Sequence, residues 1–223
     1  MATSKSSLAP VMYVGFVLLA GILVYSFVAS AREGELRRRC SPTCLLRPDY
    51  AGADRTAPMF TLPNMQGKPV SLEAYKGKVV VLNFWTKTCG PCLEEMPEIV
   101  ELTKILKDRK DVAVLTVSTD DGPDDVRGTL KGVLREDPPF EVLFDPDSKI
   151  VAGKFGTRLY PETWIIDQRG VIRARFDGAR MWSNPAVVEL VDQVRAGGYC
   201  PMEVREGRPS GEGARVCNDV SGS

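Results

Sequence analysis

The chain has 223 residues, 43% of them hydrophobic, with 29 Lys+Arg against 29 Asp+Glu and no histidine. Balanced charge leaves no basic field to draw in nucleic acid, so no such partner is expected, and the length suits one globular domain with a segment attached at each end. Six cysteines are awkward in a reducing cytosol and ordinary in an oxidising compartment.

No charged side chain stands between Lys5 and Arg32, and the stretch from Val11 to Tyr25 is apolar. About 20 apolar residues suffice to span a bilayer, so residues 1–31 read as a transmembrane anchor or an uncleaved signal. Ala29-Ser30-Ala31 has the form of a cleavage site, yet the apolar region is longer than the roughly 7–15 residues of a signal peptide, which favours a retained anchor. Lys5 on one flank against Arg32, Arg37, Arg38 and Arg39 on the other would by charge alone hold the rest of the chain inside. The cysteine content argues for the outer side, and that is the reading adopted.

Residues 32–56 are polar, carry Cys40 and Cys44, and read as a linker. The globular domain is placed at 57–196. Phe60-Thr61-Leu62 and Pro69-Val70-Ser71-Leu72 around the turn Asn64 to Gly67 suggest a hairpin. Val79 to Phe84 is a strand buried on both faces, and a helix begins near Pro91 with Cys92, Met96, Ile99, Val100, Thr103 and Leu106 on one side. Val112 to Val117 is a second strand, Pro123 opens a helix, and Phe140 to Phe144 returns as a strand. Ser148 to Lys154 reads as a short helix. Glu162 to Asp167 and Val171 to Phe176 form a hairpin, with Ile172, Ala174 and Phe176 expected on one face and Arg173 and Arg175 on the other. Asn184 caps a last helix that starts at Pro185. Residues 197–223, with Cys200 and Cys217, read as an irregular tail held only by disulfides.

The chemistry concentrates at Cys89-Gly90-Pro91-Cys92, between a strand and a helix. A thiol at a helix N-terminus faces unsatisfied N–H groups and the positive end of the dipole, so its thiolate is stabilised and Cys89 is the expected nucleophile. Cys92, one turn on, can close a disulfide with it. Glu95 projects from the same side of the helix as Cys92 and could take that thiol's proton if burial raises its pKa, whereas Glu94 points away. A zinc site would need four N/S ligands in a chain without histidine, so no metal is expected, and no cofactor beyond the redox-active Cys89–Cys92 pair.

Trp85 through Cys92 resembles the thioredoxin active site. Ala57 to Leu62, Lys76 to Trp85, Cys92-Leu93-Glu94-Glu95-Met96-Pro97 and Tyr160-Pro161-Glu162-Thr163 together resemble the membrane-anchored TlpA/ResA/CcmG-like thiol-disulfide oxidoreductases, over about residues 57 to 196. That resemblance implies a thioredoxin-like α/β fold, a mixed sheet flanked by helices, with an N-terminal hairpin and an inserted helix and strand between about Pro123 and Phe144. It implies a single-pass protein of the bacterial inner membrane with its catalytic domain on the periplasmic side, reducing protein disulfides such as that of apocytochrome c and recharged by a membrane thiol reductase. It assigns proton transfer to Glu95 and substrate contact to Trp85, Glu162 and a cis-proline loop at Tyr160-Pro161. Two departures stand out: Asn83 replaces a buried aspartate, and Thr88 replaces a tryptophan. Cys40, Cys44, Cys200 and Cys217 are expected in structural disulfides, with three pairings open and at least one bond from linker to tail. The rival readings are a thiol peroxidase, since Thr86-Lys87-Thr88-Cys89 fits T-x-x-C although Leu82 stands where a peroxiredoxin has proline, and a non-catalytic binding module.

Overall fold

The computed structural model describes residues 9–44, 55–197, 200–205 and 208–221. Its first element, α1 (Ala9–Cys44), is one unbroken helix, so residues 32–44 of the expected linker continue the apolar helix, and residues 45–54 of it lie outside the described residues. Charge spacing explains the continuation: Arg37 pairs with Glu33 at 2.8 Å and Arg39 with Glu35 at 2.7 Å, both one turn apart. Such pairs contribute only about 0.2–0.5 kcal/mol each. The span Pro10–Cys40 contains a stretch with a mean hydropathy of 2.3, long and apolar enough to cross a membrane, and its large apolar side chains between Val11 and Val28 are exposed.

The domain is built on a five-stranded sheet in the order β5-β4-β3-β6-β7. Strands β3 (Val79–Trp85), β4 (Val112–Ser118) and β5 (Glu141–Phe144) run parallel, while β6 (Glu162–Ile166) pairs antiparallel with β3, and β7 (Ile172–Asp177) antiparallel with β6. All seven residues of β3 are buried, because both faces are covered. Val79, Val81 and Trp85 face α2 (Gly90–Leu106), α3 (Pro123–Leu134) and α4 (Pro185–Arg195). Val80, Leu82 and Phe84 face the hairpin of β1 (Thr61–Pro63) and β2 (Pro69–Ser71) together with Phe155. Phe155 stands edge-on to Phe60, Phe84 and Trp164 at 5.0 to 6.3 Å, which anchors the segment leading to Tyr160. The parity of β3 therefore points Asn83 at α2.

Three expectations change. Residues 148–154 form successive turns instead of a helix, because the Asp145 carboxylate takes the N–H groups of Ile150 and Val151 at 2.8 Å each and Ser148 sits at φ 51°. In β7 the register slips between Ile165 and Ile166, so Arg173 is extra and Ile172 falls on the opposite face from Ala174 and Phe176. The described residues of the tail form regular elements: β8 (Glu203–Arg205) and β9 (Arg208–Ser210) pair, and α5 (Glu212–Ser221) lies along α1. Its Ala214 and Val216 are buried there. Gly213 makes the crossing possible, since a Cβ would lie 2.6 Å from Cys200 Sγ and 3.1 Å from Cys40 Sγ.

That close approach surrounds a bond between α1 and the tail: Cys40 and Cys200 form a disulfide across 160 residues, both residues buried. Cys217 is also disulfide-bonded, and the side chain of Cys44 lies outside the described residues. The expected link from residues 32–56 to the tail is present in the first of these bonds. A cleft of about 680 Å³ separates α1 from α5, lined by Tyr25, Arg32, Leu36, Glu212 and Arg215.

Candidate active site

β3 ends at Trp85, three loop residues follow, and Cys89 caps α2. The Cys92 N–H donates to Cys89 Sγ at 3.2 Å, the contact by which a helix N-terminus would stabilise a thiolate there. The two cysteines are joined in a disulfide with their Cα atoms 5.2 Å apart. They differ in access: Cys92 is fully buried and Cys89 is half-buried. Only Cys89 can meet another protein's sulfur.

The loop before Cys89 is held by Asp120, which the sequence reading did not single out. Its carboxylate accepts from Thr86 Oγ1 at 2.9 Å, from the Lys87 N–H at 2.8 Å and from Ser118 Oγ at 2.7 Å. Lys87 Nζ reaches Asp125 at 2.9 Å. The signal available in the sequence was a carboxylate just past the C-terminal end of β4, the strand beside β3.

Glu95 is buried at 2% exposure. Asn83 Nδ2 donates to one of its oxygens at 2.8 Å; the Arg180 N–H and Trp182 Nε1 donate to the other at 3.1 and 2.9 Å. Burial is the largest influence on this carboxyl and pushes its pKa up, while the donors from Trp182, Asn83 and Arg180 pull it down. Glu95 is thus not a solvent-facing helix carboxylate. Asn83 also donates to Thr163 Oγ1 at 2.9 Å, its partner across β3 and β6, while its own Oδ1 is buried with no hydrogen-bond partner among the described residues. Trp182, edge-on to Phe176 at 5.6 Å, was missed because nothing local in the sequence connects it to a helix 87 residues earlier.

The Tyr160-Pro161 peptide bond is cis. The Pro161 carbonyl accepts from the Gly178 N–H at 2.9 Å, which sets the loop 178–182 beside the proline loop. Tyr160 remains half-buried. Three of the four residues expected to touch substrate do not reach the surface, and Pro161 is one of them. Trp85 is fully buried at the end of β3, paired in register with Ser118. Glu162 is 1% exposed and locked to Arg175 at 2.6 Å and to Thr157, so it supports the loop from behind. Burial raises its pKa against the opposing pull of Thr157 and Arg175. The exposed apolar side chains of this region are instead Leu159, at 78%, and Met181, at 69%. One precedes the cis bond, and the other adjoins the residue whose N–H holds Glu95.

Residues 53–175 match the model of the AhpC/TSA family. The chain is 36% identical over 117 residues to the thioredoxin-like protein YneN of Bacillus subtilis, covering 52% of this chain and 66% of that one. It is 32% identical over 124 residues to the thiol-disulfide oxidoreductase ResA of Bacillus cereus, covering 56% and 69%. The chain thus spans about two thirds of the length of these relatives. Among solved structures, one from Chlorobium tepidum described as a thiol:disulfide interchange protein DsbE aligns with a TM-score of 0.54 at 29% identity, over 66% of this chain and 97% of that one. The exposed lipoprotein thioredoxin of Streptococcus pneumoniae aligns with a TM-score of 0.52 at 30% identity, over 61% and 99%.

Proposed function

Because the chain belongs to the AhpC/TSA family and is a thioredoxin-like thiol-disulfide oxidoreductase of the ResA/DsbE type, we propose that it acts as a membrane-anchored, outward-facing reductase of protein disulfides. The Cys89 thiolate attacks a disulfide of the partner, forming a mixed disulfide and expelling one partner thiolate, which takes a proton from water. Cys92 gives its proton to Glu95 and attacks Cys89 Sγ. The Cys89–Cys92 disulfide forms, the second partner sulfur leaves as a thiolate and is protonated, and two electrons have passed to the partner. A membrane thiol reductase on the same side would restore the dithiol.

The single observation behind this reading is the unequal burial of the two sulfurs, with a buried carboxylate one turn beyond the hidden one. Gly90-Pro91 between the cysteines matches thioredoxin, whose potential of about −270 mV is reducing, against about −120 mV for a strong oxidant of the same fold. The family resemblance has the cis-proline loop face the cysteine pair, where the Tyr160 backbone would pair with an extended partner strand, and the exposed Leu159 and Met181 would form an apolar rim for its side chains. Apocytochrome c is the substrate the family resemblance suggests.

Changing Cys92 to Ser tests the proposal, because the mixed disulfide then has no internal thiol to resolve it. Proteins trapped on Cys89 in the native membrane should be cysteine-bearing and exported. Trapping of cytosolic proteins alone, or rapid consumption of hydrogen peroxide by the parent chain, would overturn it.

A further inference from the structure

We propose that Asn83 is a positioning residue that follows the proton on Glu95, turning its side-chain amide round when the carboxylate becomes a carboxylic acid. This rests on the reading of Glu95 as the base for Cys92. Three groups face the Glu95 carboxylate: the Arg180 N–H, Trp182 Nε1 and Asn83 Nδ2. All three donate in the structure, which suits the anion. A carboxylic acid needs an acceptor for its new O–H. A backbone N–H and an indole N–H have nothing to accept with, so that requirement falls on Asn83.

Asn83 has the spare capacity. Its Oδ1 is buried and accepts no hydrogen bond among the described residues, at a residue with no exposed surface. A buried acceptor left unmade is costly; rotation of the amide gives that oxygen a donor and moves Nδ2 to the place the oxygen held. After rotation Oδ1 accepts from the Glu95 O–H. It can also accept from Thr163, whose hydroxyl receives the Asn83 bond at 2.9 Å in the present state and can reverse its sense. A buried aspartate at position 83 could not do this without adding a second negative charge beside Glu95. The other charged or titratable groups near the carboxylate are Cys92 on the same helix, bound to Cys89, and the Arg180 guanidinium, which lies over the Phe176 ring at 5.2 Å. The proton Glu95 takes from Cys92 is thus held through a hydrogen bond to Asn83 until it is passed on.

The test is an NMR titration of the isotopically labelled full-length chain in detergent micelles. The side-chain amide signals of Asn83 should shift with pH, at a midpoint shared with the Glu95 carboxyl carbon, and should stay fixed over that range in the Glu95→Gln chain. A static Asn83 amide through the Glu95 titration, or one that still titrates in Glu95→Gln, overturns the inference. Failure of the parent reading looks different: Glu95→Gln would resolve mixed disulfides at the normal rate, whatever Asn83 does.

Discussion

Replacing Glu95 by Gln removes a buried charge and keeps the side-chain shape. The remaining oxygen can still accept from Trp182 Nε1 and the Arg180 N–H, which hold one carboxylate oxygen at 2.9 and 3.1 Å. The new amide nitrogen meets Asn83, which turns to offer Oδ1, so the fold is kept. Burial raises the Glu95 pKa above its unfolded value. The stability this group contributes is therefore complete below the unfolded carboxylate value and is lost as pH rises through the folded one. Glu95→Gln does not titrate and should be at least as stable as the parent at neutral pH, with that advantage gone in acid. The catalytic effect runs the other way: a positioned base contributes about 10²–10⁴-fold, roughly 3–5 kcal/mol of barrier. Mixing the reduced chain with one equivalent of Ellman's disulfide separates the steps, since the first thiolate released reports attack by Cys89 and the second reports resolution by Cys92. The first phase should be unchanged. The second should slow by about 10²–10⁴-fold near neutrality and then climb tenfold per pH unit as hydroxide replaces the base. Resolution within about threefold of the parent, or a variant that unfolds more easily at neutral pH, refutes the reasoning.

Changing Cys200 to Ser opens the bond that spans 160 residues, and denaturant unfolding should show a loss of about 2–5 kcal/mol, the upper end following from chain entropy for so long a loop. Changing Arg175 to Met leaves Glu162, 1% exposed, without its cation, at an expected cost of about 3–5 kcal/mol. Because the raised pKa of Glu162 then rises further, thermal melts should show that loss shrinking from about pH 7 toward about pH 4 as the carboxyl protonates. Changing Leu159 and Met181 together to Asp should raise KM for protein disulfides about tenfold, or ~1.4 kcal/mol, with little change toward a small aromatic disulfide in the same assay.

The redox pair, its place between strand and helix, and the run of strands and helices around it were legible in the residues themselves. Each is a local signal: apolar periodicity in β3 and α2, a proline at the start of α3, an asparagine before α4. The position of Glu95 on the side of Cys92 was also local, being a matter of helical spacing. The cis bond before Pro161 was available only through resemblance, since sequence does not carry peptide isomerism.

What tertiary structure decided lies where segments far apart in the chain meet. One extra residue in β7 sent Ile172 to the other side of the sheet, because alternation cannot reveal where a register slips. Trp85 and Glu162 carry residue types that suit a docking surface, yet the depth of β3 and the Arg175 partner put both inside. Trp182 and Arg180 close over Glu95 from more than 80 residues away, and the tail packs α5 along α1 and bonds Cys200 to Cys40. Periodicity records what a segment requires of its neighbours; which neighbour answers is settled only when the whole chain is packed.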